Sequence, residues 1–148
     1  MKRRNGSWCG GWFFDPVADR LRAQAHRVFT PTQTGLGERS HLLSREVTLD
    51  TFITDLANVI EWEELRDVIL VGHSFAGGPI TGVADRMPDR LRRVVYLDAI
   101  ILQNGQSFLS TLPPKLPPHD ARQRRRSGVF PCSRRRWARW AAWDCRRS

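Results

Sequence analysis

The chain has 148 residues, of which 41% are hydrophobic, and its formal net charge is +9. This length suffices for one domain with a hydrophobic core. Neither a run of roughly 18 apolar residues, as in a membrane span, nor the continuous apolar stretch of a secretory signal is visible, so we expect a cytoplasmic location. The three cysteines have the spacing of neither a zinc site nor a disulfide framework. We therefore expect free thiols, no metal and no cofactor.

The first half of the chain predicts two helices and one short strand. Asp15 followed by Pro16 is typical of a helix start, and the apolar spacing after it predicts a helix over residues 16–25. Apolar residues just before a proline predict a strand over 27–30, which leads into a loop rich in threonine and glycine. Helical spacing of apolar residues predicts a second helix over 49–63.

The middle of the chain predicts two strands joined by a helix. The run DVILV at residues 67–71 is short and apolar without alternation, which is typical of a strand buried on both faces of a parallel sheet. A helix over 75–86 and a strand over 91–97 follow. The alternation of strands and helices predicts the α/β class, with a parallel sheet flanked by helices.

Ser74 lies where the buried strand turns into the following helix. Gly72 and Ala76 flank it at two residues on each side, and such small residues permit the strained turn of a nucleophile elbow. The pattern predicts Ser74 as a nucleophile and the backbone N–H of Phe75 as an oxyanion donor. The alternative is that Ser74 only caps the helix. We interpret the adjacent His73 as a packed residue beside the pocket rather than as the general base.

Four segments resemble the esterase branch of the α/β-hydrolases, which includes salicylate-type methylesterases and plant hydroxynitrile lyases. They are NGSWCGGW, TPTQTGLGERSHL, GHSFAGG and RMPDRLRRVVYLDA, the last followed by NGQS, and the resemblance spans about residues 5–112. It implies an α/β-hydrolase fold and serine-dependent hydrolysis of small carboxylic esters. It also implies that the backbone N–H of Ser7 completes the oxyanion hole, and that Trp8 and His73 line the substrate pocket.

The resemblance also implies that parts of the family fold are missing from this chain. In the family an apolar central strand leads into the segment matching NGSW, yet only Met1 to Arg4 precede it here. The family's acid and base follow two further strands, for which no counterpart is visible. We therefore interpret residues 1–112 as a partial hydrolase core truncated at both ends, and we expect little activity from it.

Two residues remain as candidates for the catalytic acid and base. Ser74, Asp98 and His119 have the chain order of an α/β-hydrolase triad, with Asp98 directly after a predicted strand. Chain order does not establish geometry, and His119 lies in a proline-rich loop. A further hypothesis is that the chain is a lyase of the cyanohydrin type, which the same fold supports. That reaction requires side chains beside the base that this chain lacks.

The net charge is concentrated at the C-terminal end. Residues 1–119 hold 14 Lys and Arg against 13 Asp and Glu, whereas residues 120–148 hold 10 against 2. The proline- and arginine-rich tail over 113–148 is therefore either a segment translated out of frame or a basic, disordered arm of a catalytically dead protein that binds polyanions. The abrupt change where the resemblance ends favours the first hypothesis. We expect a small-molecule ester as partner rather than nucleic acid, and the sequence leaves the oligomeric state open.

Overall fold

The computed structural model describes residues 9–106. This part contains helices α1 (Asp15–Arg22), α2 (Leu49–Trp62) and α3 (Gly77–Arg86), strands β1 (Val68–His73) and β2 (Leu91–Leu97), and short 3₁₀-helices at Gly11–Phe14, Gly37–Leu42, Ser74–Ala76 and Pro88–Arg90. The helices and strands follow the predicted order around the elbow. The proline- and arginine-rich tail predicted over 113–148 lies outside the described residues.

Strands β1 and β2 form a parallel pair in the described part of the chain. The register runs from Val68 opposite Leu91 to His73 opposite Leu97, with one irregularity between Val68 and Ile69. Helix α3 supplies the crossover between them, since parallel neighbours cannot be joined by a tight hairpin. The predicted α/β class with a parallel sheet is confirmed.

The predicted strand over residues 27–30 is wrong for the structure described. These residues form no ladder, and β1 pairs only with β2 within residues 9–106. A strand requires hydrogen bonds to a neighbour, which an apolar pair before a proline does not provide. Instead, the Arg22 side chain donates a hydrogen bond to the Val28 carbonyl at 2.8 Å.

Helix α1 ends three residues before its predicted end. Ala25 has φ +65°, and the N–H of His26 donates to the Leu21 carbonyl while that of Ala25 donates to the Arg22 carbonyl. These two bonds close the helix with a left-handed residue, a position that usually holds glycine. Because alanine stands there, the composition gave no signal of the stop.

The core lies between α2, α3 and one face of the sheet. Ile53 and Ile60 of α2 pack against Val83 of α3, and Leu70 and Leu91 cover them from the strands. The opposite face of β1 is open in the described structure, so that Ile69 is 57% exposed whereas Ile60 is 3% exposed. The prediction that this strand is buried on both faces is therefore wrong for residues 9–106, where burial depends on the pair of helices α2 and α3.

Helices α2 and α3 are also joined by polar contacts at their exposed ends. The Arg86 guanidinium pairs with the Asp50 carboxylate and donates to the Thr54 hydroxyl at 3.2 Å. Such exposed pairs contribute little stability, so apolar packing dominates this contact. None of the helices in residues 9–106 is long and apolar enough to cross a membrane.

The two isoleucines give a matched test of where the core lies. We expect Ile60→Ala to lower the free energy of unfolding by about 2–5 kcal/mol, because it opens a cavity in a closely packed cluster. Ile69→Ala removes the same atoms from an exposed position, and we expect a loss below about 1 kcal/mol. Urea denaturation of both variants measures the difference, and equal losses would contradict this description of the core.

Candidate active site

Ser74 adopts a strained backbone conformation at the end of β1. Its φ of +55° lies in the left-handed region, which costs a non-glycine residue about 1–2 kcal/mol. A 3₁₀ turn over Ser74–Ala76 and then α3 follow directly. Strand, strained serine and helix therefore succeed one another without a connecting loop, as in a nucleophile elbow.

The residue two positions before Ser74 has to be glycine. A Cβ on Gly72 would lie 2.6 Å from the Cδ1 atom of Ile80 and 2.9 Å from the Ala76 carbonyl oxygen. Any side chain would push the strand away from the turn that follows it. The small residue that the motif requires here thus has a direct steric cause.

The strained serine is held in place by the segment that follows β2. The backbone N–H of Ile100 donates to the Ser74 carbonyl at 3.0 Å. A Cβ on Gly77 would lie 2.1 Å from the Ile100 carbonyl oxygen, so the start of α3 and this segment touch backbone to backbone. The hydrogen bond offsets part of the cost of the left-handed conformation.

Both residues that flank Ser74 pack against aromatic rings. The ring of His73 is stacked on Phe13 at 6.2 Å between centroids and meets Phe14 edge-on at 6.4 Å. Phe75 meets Phe52 of α2 edge-on at 5.5 Å. The sequence did not indicate these contacts, although Phe52 belongs to the apolar face of the predicted helix.

Asp55 of α2 anchors the loop between α1 and α2. Its carboxylate accepts hydrogen bonds from the backbone N–H of Thr34 at 2.6 Å and from the Thr34 hydroxyl at 3.0 Å. The Arg39 guanidinium lies 3.8 Å from the same carboxylate, and it donates to the Thr32 carbonyl at 2.9 Å. Sequence reasoning missed this role because the two loop partners lie far from Asp55 along the chain.

Asp98 follows β2 in the same way that Ser74 follows β1. His73 and Leu97 are opposite each other in the register, so Ser74 and Asp98 leave the same edge of the sheet. Asp98 is exposed and also has a positive φ, +45°. Its role as the acid stays a prediction.

The other predicted site residues are not described by the structure. Ser7, Trp8 and His119 lie outside residues 9–106, so their predicted roles stay predictions. Cys9 is disulfide-bonded, which corrects the expectation of a free thiol at this position. Within residues 9–106, no cluster of His, Cys, Asp and Glu is arranged to hold a metal ion.

Two neighbouring glycines at the start of α3 test the close backbone contact between Gly77 and Ile100. We expect Gly77→Ala to lower the free energy of unfolding by about 1–3 kcal/mol, because the new methyl group collides with the Ile100 backbone. On Gly78 a Cβ meets Leu49 at 3.4 Å, an ordinary contact, so Gly78→Ala should be neutral or stabilise by up to about 1 kcal/mol. Thermal denaturation measures the stability of both variants, and a stabilising Gly77→Ala would contradict the close contact between Gly77 and Ile100.

Two esterase sequences and one solved hydrolase structure are similar to this chain. It is 51% identical over 119 residues to the "Carbendazim hydrolyzing esterase" of Nocardioides sp. (strain SG-4G), which covers 80% of this chain and 49% of that protein. It is 30% identical to "Putative methylesterase 11, chloroplastic" of Arabidopsis thaliana, over 70% of this chain and 26% of that protein. The solved structure of an extracellular alpha/beta-hydrolase from a Paenibacillus species, described as a homologue of tobacco salicylic acid binding protein 2, superposes with a TM-score of 0.67 at 36% identity, covering 74% of this chain and 44% of that one.

These similarities agree with the elbow geometry, and they also show how much of a relative is represented. The chain spans about half the length of the Nocardioides esterase. Residues 5–148 match the "Alpha/beta hydrolase family". The resemblance to the esterase branch is confirmed, and the chain belongs to the α/β-hydrolase family.

Proposed function

We propose that this chain carries the nucleophile of a serine hydrolase that cleaves small carboxylic esters. The observation that carries the proposal is Ser74 in a left-handed conformation directly between β1 and the turn that begins α3. A serine that only caps a helix needs no such strain, because cap residues are normally extended. Left-handed residues also end helices in this chain, as at Ala25, but at Ser74 the conformation joins a strand directly to a helical turn, as a nucleophile elbow requires.

Each step of the proposed reaction has a candidate group. The Ser74 oxygen attacks the ester carbonyl carbon, and the negative charge that develops on the carbonyl oxygen is stabilised by the N–H of Phe75 and by the positive end of the helix that follows. A general base takes the Ser74 proton and passes it to the departing alkoxide, which leaves as the alcohol; water then cleaves the acyl-serine, releasing the carboxylic acid and restoring the Ser74 hydroxyl. Ser7 is the proposed second oxyanion donor, while Asp98 and His119 are the candidates for the acid and the base.

The relatives support an ester as substrate class. One is named for the hydrolysis of carbendazim and another as a methylesterase. We therefore propose small esters with a small alcohol group, and carbendazim itself is a substrate to test first. For the 148-residue chain alone we expect weak turnover of activated aryl esters.

A chimera tests the nucleophile within a whole hydrolase. Residues 9–106 replace the matching segment of the Nocardioides esterase, and we expect hydrolysis of carbendazim and of p-nitrophenyl acetate. Ser74→Ala in this chimera should lower kcat by about 10³-fold or more, since the residual rate then depends on binding and on the oxyanion donors alone.

Ser44→Ala is the matched control for this chimera. Ser44 is exposed, and within the described part of the chain its hydroxyl accepts one hydrogen bond, from the nearby Glu46 N–H at 3.2 Å. We expect its kcat to stay within about twofold of the parent chimera. Turnover that survives Ser74→Ala unchanged would overturn the proposed function.

A further inference from the structure

The buried hydroxyl of Thr32 joins two segments of the chain. It accepts a hydrogen bond from the backbone N–H of Gly11 at 2.7 Å and donates one to the Glu38 carboxylate at 2.6 Å. Thr32 is 9% exposed, and it is the only polar or charged residue that is buried within residues 9–106. A short bond to a carboxylate polarises the hydroxyl, which then becomes a better acceptor for the Gly11 N–H.

Around Thr32 the two segments touch backbone to backbone. A Cβ on Gly11 would lie 1.6 Å from the Thr30 carbonyl oxygen, and one on Gly37 would lie 2.6 Å from the Gly10 Cα atom. No side chain fits between the segments. A displacement of the loop that holds Thr32 is therefore transmitted directly to Gly10 and Gly11.

From Gly11 the connection continues to one neighbour of the nucleophile. The 3₁₀-helix Gly11–Phe14 begins there, and it carries Phe13 and Phe14 against the ring of His73. The position of the Gly11 backbone thus determines where these rings meet the residue just before Ser74.

The next loop residue leads to the other neighbour. Gln33 donates a hydrogen bond from its side-chain amide to the Phe52 carbonyl at 3.2 Å, and the Phe52 ring packs edge-on against Phe75. Consecutive loop residues are therefore connected to the two residues that flank Ser74.

We propose that Thr32 is a positioning residue for the reaction of Ser74. Its hydroxyl fixes the Gly10–Gly11 backbone relative to the elbow, and it acts through the aromatic contacts of His73 and not by touching the substrate. The inference rests on the proposed function, because it assigns Thr32 a role in the chemistry of that nucleophile.

The test is the rate at which an alkyl fluorophosphonate labels the 148-residue chain. The Ser74 oxygen forms a bond to phosphorus, the phosphorus–fluorine bond breaks, fluoride leaves and the serine proton passes to solvent. Intact-protein and peptide mass spectrometry measure labelling of Ser74 at several probe concentrations, which separates the first-order rate of labelling from probe affinity.

We expect Thr32→Val, which keeps the shape and removes the hydroxyl, to lower the first-order rate by about 10-fold to 100-fold. Thr32→Ser keeps the hydroxyl and should restore the rate to within about twofold of the parent. Thr54→Val is the matched control, since Thr54 is exposed and, among residues 9–106, its hydroxyl is bonded to Arg86 alone, and this variant should leave the rate unchanged. A purely structural Thr32 would lower the unfolding temperature without changing the rate of the folded protein.

The outcomes separate this inference from the proposed function. A parent chain that is not labelled at Ser74 would overturn both. A parent labelled at Ser74, together with Thr32→Val labelled equally fast, would overturn the role of Thr32 alone. If Thr32→Val does not fold, variants of the exposed Glu38, which accepts the Thr32 hydrogen bond, provide the test. Glu38→Ala should slow the labelling of Ser74, and Glu38→Gln, which keeps an acceptor oxygen, should restore the rate. Equal labelling rates for these two variants would contradict the proposal.

Discussion

The hydrogen bond from the Ile100 N–H to the Ser74 carbonyl is the contact on which the elbow depends. The left-handed conformation of Ser74 costs about 1–2 kcal/mol, which is similar to the net value of one backbone hydrogen bond. The bond can form only because Gly77 lets the start of α3 approach the Ile100 backbone. The strain at Ser74 is therefore held by tertiary packing and not by the local preference of the sequence.

Helix α2 supplies the second support of the site. Its inner face forms the core with α3, while Phe52 packs against Phe75 and Asp55 bonds the loop at Thr34. One helix thus links the hydrophobic core, the residue after Ser74 and the loop that touches Gly10. This connection explains how contacts that do not touch Ser74 affect the position of Ser74.

The sequence predicted the features whose signal is local. The apolar face of α2 and the run ending at Gly72 each lie within one element, and the small residues around Ser74 lie within a few positions of it, so these elements and the turn were predicted correctly, although one face of β1 is exposed in residues 9–106. The strand expected over residues 27–30 failed because pairing depends on a neighbour. The bonds of Thr32 and Asp55 join residues about 20 positions apart, so no local pattern indicates them. Likewise, α1 ends at a left-handed alanine, Ala25, where glycine is usual, so the sequence did not indicate the end of this helix.

A crystal structure of the 148-residue chain after reaction with an alkyl fluorophosphonate tests most directly whether Ser74 is the nucleophile of a hydrolase site. We predict phosphorus bonded to the Ser74 oxygen, a φ at Ser74 that remains positive, and the phosphonyl oxygen within hydrogen-bond distance of the Phe75 N–H. An adduct on another residue, or a phosphonyl oxygen directed away from the Phe75 N–H, would contradict the assignment of Ser74 as the nucleophile of a hydrolase site.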